Sequence, residues 1–233
     1  MLILAFETSA KAAGVALFLG GVLLAENYQN TGLTHSQTLM VMAQDLLKQC
    51  GYKPQDVGAV AVAAGPGSFT GVRIGVAAAK GLAWGLQVNC YGVSTLQSMA
   101  LGLGVHQGTV CAVMDARRAQ VYNALFAAEN GQLRRITEDR AIALSDLAEE
   151  LKQMPQPIFL VGDGSALTWK TLQDTVPGLV MPMESRMHQR AVGVGLAALE
   201  AIANGESGDA ESLQPNYLRL SQAEREKLEK QKQ

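Results

Sequence analysis

The order of secondary-structure signals in this chain runs through once and then begins again, and few folds accommodate such a repeat. Residues 2–7 are a short apolar run ending in an acid, and so are residues 110–115; the two acids, Glu7 and Asp115, stand 108 positions apart (115 less 7). Ala16-Leu17-Phe18 and Ala124-Leu125-Phe126 keep the same offset. The first series reads as strands over 2–7, 14–19 and 22–26, with Gly20-Gly21 as a hairpin turn. A helix follows from Ser36, its stripe of Leu39, Ala43, Leu46, Leu47 and Cys50 ending at Gly51. A strand over 57–64, a Gly-rich loop over 65–71, a helix to about Gly85, a strand over 88–93 and a helix over 94–103 complete it. The second series predicts strands over 110–115, 120–127 and 133–137, a helix over 145–152 and a strand over 157–161. It closes with an apolar helix over 190–204. A shared register of identities and element order points to duplication.

Three antiparallel strands, then helix, strand and helix, present twice, describe the actin, Hsp70 and sugar-kinase architecture. The expected fold class is therefore α/β: a duplicated actin-like (ASKHA, ribonuclease H-like) fold of two lobes. The lobes are placed at 1–105 and 106–220, followed by a charged, low-complexity tail over 221–233 that is expected to fray or to order only with a partner. A chain of 233 residues has room for two such cores, and 24 glycines suit many tight turns.

Charge excludes one class of function. The net charge is −2, and Arg117-Arg118 and Arg134-Arg135 are the basic clusters, each short. Unaided grip on nucleic acid needs a basic face to neutralise phosphates, so independent nucleic-acid binding is not expected. Cys50, Cys90 and Cys111 lack metal or redox spacing and read as reduced thiols of a cytosolic protein. The apolar start lacks a basic leader region and is interrupted by Glu7 and Lys11, which argues for strands rather than a signal peptide. No apolar run approaches a membrane span.

The stretch Gly65-Pro66-Gly67-Ser68-Phe69-Thr70-Gly71-Val72-Arg73-Ile74-Gly75 lies between a strand and a helix. It has neither the Gly-Lys-Ser/Thr end of a Walker loop nor dinucleotide glycine spacing. It is either a tight turn capped by Ser68 or Thr70, or a helix start whose amides hold an anion. Glu7-Thr8-Ser9 and Asp115 end the first strand of each lobe, where phosphoryl-transfer enzymes of this architecture orient magnesium and phosphate. Turn capping by short polar side chains suits them better, because Thr8, Ser9 and Ala10 offer none of the glycines that a kinase site shows after its first acid. His35, His106 and His188 form no spaced pair. The helix after the loop is apolar nearly all round, with Arg73 and Lys80 its charges. Such a helix is buried on more than one side, by an internal neighbour or by another chain. Its core stripe of Val72, Val76, Ala79 and Ala83 leaves Arg73, Ala77, Lys80, Gly81 and Trp84 opposite, beside Met40, Val41 and Gln44 of the preceding helix. These eight residues form the candidate partner-binding face.

Several motifs together resemble the TsaB (YeaZ) family. They are Ile3-Leu4-Ala5-Phe6-Glu7-Thr8-Ser9, the Gly-Pro-Gly-Ser-Phe-Thr-Gly block, Gly92-Val93-Ser94-Thr95-Leu96, Met114-Asp115-Ala116-Arg117 and Pro215-Asn216-Tyr217-Leu218-Arg219. The resemblance implies a role in forming N6-threonylcarbamoyladenosine at position 37 of tRNAs reading codons that begin with A. It implies work with TsaD, a catalytic relative, and the ATPase TsaE, with TsaC supplying the activated group. TsaD-like chains carry a metal-binding His-x-x-x-His pair that would fall on Thr95 and Met99 here. Neither replaces an imidazole. The resemblance therefore implies a non-catalytic subunit, with no metal and no cofactor. The candidate partner-binding face is also expected to serve a homodimer when the chain is alone, and the net charge of −2 leaves contact with tRNA to the complex. An enzyme of the same fold and a self-associating regulator are the alternatives.

Overall fold

The computed structural model describes residues 1–219; the tail expected over 221–233 lies outside them. The chain forms β1 (Leu2–Glu7), β2 (Ala13–Leu19), β3 (Val22–Gln29), α1 (His35–Gln49), β4 (Ala59–Gly65), α2 (Phe69–Leu86), β5 (Asn89–Ser94) and α3 (Thr95–Leu103). It continues with β6 (Gly108–Asp115), β7 (Gln120–Glu129), β8 (Gln132–Arg135), β9 (Arg140–Ala143), α4 (Leu144–Leu151), β10 (Ile158–Val161), α5 (Ser165–Leu172) and β11 (Leu179–Val180). The short α6 (Glu184–Met187) and then α7 (Ala191–Ala203) complete the elements.

The two sheets repeat one topology. The first has the order β3-β2-β1-β4-β5, and the second β11-β10-β6-β7-β8 with β9 also paired to β7. In each, the leading strand pairs antiparallel with its hairpin partner and parallel with the strand after the first helix. The two-lobed actin-like duplication expected from the sequence is the observed architecture. The third strand of the second lobe is split, with β9 taking up the pairing that β8 drops, and the sequence reading had no strand there. Nor had it α5, β11 or α6.

Strand periodicity divides the first core. Leu2, Leu4 and Phe6 of β1 join Val60 and Val62 of β4 under α1 and α2. Ile3 and Ala5 join Ala59, Ala61 and Ala63 on the opposite face. Successive side chains of a strand point to opposite faces, so a strand buried along its length serves two cores. The second face is covered by α7, through Ala191, Val194, Ala197 and Ala198. The helix expected to close the second lobe thus packs on the first sheet. Alanines on β4 and glycines on α7 allow the close approach. A Cβ at Gly195 would strike the Phe18 ring, and one at Gly193 would strike the carbonyl of Ser98 in α3.

Candidate functional site

Two features stand out, a cleft between the lobes and an open face on α2. The cleft encloses about 650 Å³ and is bordered by the turn after β1, the loop into α2, the turn after β6 and Asp163 after β10. These are equivalent places in the two halves of the duplication, which is why the fold brings them together.

At the α2 side, Ser68 caps the helix, its Oγ accepting a hydrogen bond from the Gly71 amide at 3.3 Å. Of the two caps open in the sequence, the structure uses this one, and Thr70 is left exposed. Packing explains the glycines. A Cβ at Gly71 would strike the Thr8 carbonyl, and one at Gly67 would sit 2.5 Å from the Ser9 carbonyl.

The four residues expected at a phosphate or nucleotide site separate into two levels. Ser9 and Asp115 line the cleft, whereas Glu7 and Thr8 are buried beneath it. Thr8 is engaged in packing, its Oγ1 donating to the Gly71 carbonyl at 2.8 Å. Asp115 accepts the Arg117 amide hydrogen at 2.7 Å, which closes its turn. Glu7 Oε1 accepts from the Ser9 amide at 2.5 Å, while Glu7 Oε2 and Ser9 Oγ are buried without a hydrogen-bond partner among the described residues. Burial raises the Glu7 carboxyl pKa to about 7, with nearby Asp163 adding to the rise. Asp163, which accepts from Gln189 Nε2 at 2.9 Å, is itself raised chiefly by burial.

Asp163 was missed in the sequence, as were the aromatic cleft residues Phe69, Tyr122 and Tyr217. The available signal was Gly162-Asp163-Gly164, which follows β10 as the Gly-Pro-Gly turn follows β4. A Cβ at Gly162 would strike the Val113 carbonyl.

The histidines lie apart. His35 Nε2 is 2.8 Å from the Ala10 carbonyl, the His106 carbonyl accepts from the Gly131 amide at 3.1 Å, and His188 is 3.4 Å from Glu184. Thr95 and Met99, at the positions of the expected metal pair in TsaD-like chains, are both buried. Met99 packs in the apolar cluster with Leu96 and Phe126, and its sulfur lies by Gly162. Neither side chain supplies the imidazole that an iron or zinc site of that kind uses. Among the described residues no cluster of three or more His, Cys, Asp or Glu is arranged to hold a metal. No described helix is long and apolar enough to cross a membrane.

On α2, Val72, Val76, Ala79 and Ala83 are buried as the stripe predicts. Opposite them Ala77 and Gly81 are exposed, and Trp84 is 76% exposed. On α1, Met40 and Val41 are 43% and 55% exposed, and Gln44 is exposed beside them. A Cβ at Gly81 would meet nothing within 4 Å. All six of these residues are exposed, and Ala77 and Gly81 among them are small.

Arg73 and Lys80, assigned to the same face from the helical wheel, are engaged elsewhere. Arg73 lies 3.7 Å over the Phe69 ring and donates from Nε to the Tyr217 hydroxyl at 2.7 Å. Lys80 Nζ donates to the carbonyls of Glu211 and Leu213 at 3.0 and 2.8 Å. Both hold the C-terminal segment, whose approach from more than a hundred residues away has no local signature.

A profile of the family described as TsaD, tRNA N6-adenosine threonylcarbamoyltransferase, matches residues 28–227. The chain is 35% identical, over the whole of both chains, to the tRNA threonylcarbamoyladenosine biosynthesis protein TsaB of Bacillus subtilis (strain 168). It is 34% identical to the protein of the same name from Escherichia coli (strain K12), over 94% of this chain and 95% of that one. The solved structure of YeaZ from Pseudomonas aeruginosa superposes with a TM-score of 0.74 at 29% identity, over 93% of this chain and 99% of that one.

Proposed function

The chain belongs to the TsaB (YeaZ) family and takes part in the biosynthesis of threonylcarbamoyladenosine in tRNA, and from that premise we propose that it acts as the non-catalytic partner that activates TsaD. The modification is assigned to position 37 of tRNAs reading codons that begin with A, with TsaE as a further component of the complex. The observation that carries this reading is the bare surface of α1 and α2. Trp84, Val41 and Met40 are exposed, and small Ala77 and Gly81 are exposed on α2, where a second pair of helices can approach closely. Two helices from each chain build a four-helix bundle. The same self-complementary patch serves a homodimer when TsaD is scarce, so the two assemblies exclude each other.

The remaining features agree with a subunit that leaves chemistry and tRNA binding to its partner. Glu7, the acid expected to orient phosphate, lies sealed below the cleft, and a net charge of −2 favours tRNA contact only through the complex. The proposed lobes, 1–105 and 106–220, place the docking helices in the first lobe, with α7 returning to brace it. A nucleotide or phosphate in the cleft is a second reading, favoured by the orphan Ser9 hydroxyl beside the α2 N-terminus.

Ala77→Glu and Gly81→Glu test the main proposal. Each puts a charge into the docking face, and burying it unpaired costs several kcal/mol, on the order of 3–5. The variants stay folded, because these positions face solvent, but lose both the dimer and TsaD in size-exclusion chromatography. Folded variants that still bind TsaD would place docking elsewhere. ATP titration by calorimetry addresses the cleft: measurable heat that Ser9→Val abolishes supports the second reading, and no heat removes it.

A further inference from the structure

After α7 the chain turns back over the first lobe, and residues 206–219 cross it without regular secondary structure. Glycines make room along the path. A Cβ at Gly92 would strike the Leu213 side chain, one at Gly65 would strike the Asn216 carbonyl, and one at Gly208 would sit 2.8 Å from the Tyr91 ring. The Asn216 amide donates to the Ala64 carbonyl at 2.6 Å, at the end of β4. At its far end the segment crosses between lobes, where the Arg219 guanidinium donates to the Ala116 carbonyl at 3.0 Å. Asn216, Tyr217, Leu218 and Arg219 also wall the cleft.

We infer that this segment is a strap coupling the docking face of α2 to the closure of the cleft, an inference that rests on the docking reading above. The coupling runs through Arg73 and Lys80. Each is one helical turn from a residue of the open face, Arg73 from Ala77 and Lys80 from Trp84, so its side chain flanks whatever covers that face. Arg73 clamps Tyr217 and Lys80 clamps two strap carbonyls. A partner on α2 immobilises both cations in their strap-holding rotamers, and the seated strap fastens the second lobe through Arg219. Reciprocity follows from linkage: a seated strap raises partner affinity by the factor by which the partner favours the seated strap.

The experiment is calorimetric titration of the full chain with TsaD, alongside amide hydrogen exchange at Asn216 with and without TsaD. Arg219→Ala, remote from the docking face, is expected to weaken TsaD binding about tenfold and to speed Asn216 exchange in the free chain. TsaD is expected to slow that exchange in the wild type. Lys80→Met keeps the apolar stem and removes the clamp; it is expected to act in the same direction and stands in should Arg219→Ala fail to fold. Unchanged TsaD affinity in the folded variant, or Asn216 exchange indifferent to TsaD, overturns the coupling. The docking reading fails separately, if Ala77→Glu binds TsaD normally.

Discussion

At Glu7 the fold encloses a carboxyl group that accepts one backbone hydrogen bond through Oε1 and has no partner for Oε2 among the described residues. Its raised pKa makes stability depend on pH in a definite sense. The folded state holds the proton up to about pH 7, whereas the unfolded chain releases it near 4.5. Between those values the native state binds more protons than the unfolded one, so stability falls as pH rises, then levels off. Asp163 adds a contribution of the same sign. Urea denaturation from pH 4.5 to 8 is expected to show this decline, and Glu7→Gln to flatten much of it. Equal slopes in the two proteins would mean that Glu7 titrates normally. Gly193 offers a second test at this scale. Its missing Cβ admits a backbone carbonyl, which cannot rotate away as a side chain can. Gly193→Ala is therefore expected to cost about 1–3 kcal/mol in chemical denaturation, despite the better helix propensity of alanine.

Among the elements, α2 shows what a sequence can and cannot disclose. Its core stripe was legible because Val72, Val76, Ala79 and Ala83 recur at helical spacing, and the remaining face was legible by subtraction. The capture of Arg73 and Lys80 by the strap was not, since it depends on residues 211–217 arriving from the far end of the chain. α7 was misplaced for a related reason. Beyond its buried residues, Leu196, Leu199 and Ile202 also pack partly against the core, and a helix apolar on most sides does not specify which sheet it covers. Trp84 provides the test for this scale. At 76% exposure it contributes little to the isolated fold, so Trp84→Ser is expected to shift stability by no more than about 0.5 kcal/mol. The same change is expected to weaken the homodimer and TsaD binding at least tenfold. A stability loss of several kcal/mol would make Trp84 a folding residue rather than a docking one.

For the whole molecule, the duplication was the part most clearly written in the sequence, because Glu7 and Asp115 end matching strands in matching sheets. The cleft between the halves was only half visible. Its first-lobe wall includes a long glycine block and its second-lobe wall the turn at Met114-Asp115-Ala116-Arg117, both visible in the sequence, whereas Asp163 stands in Gly162-Asp163-Gly164, too short a signal to distinguish from an ordinary turn. The proposed role, activation of a catalytic partner through the exposed face of α2 without any transfer by this chain itself, is open to a direct test. The direct measurement is the rate of threonylcarbamoyl transfer to tRNA in a reconstituted system containing TsaD, TsaE and the TsaC product. The rate is compared with wild-type chain, folded Ala77→Glu chain or no chain, and the wild-type chain is also assayed without TsaD. Transfer is expected only with TsaD and wild-type chain together, with a fall on Ala77→Glu to the rate seen without the chain. Transfer by this chain in the absence of TsaD, or full activation by the folded variant, would contradict it.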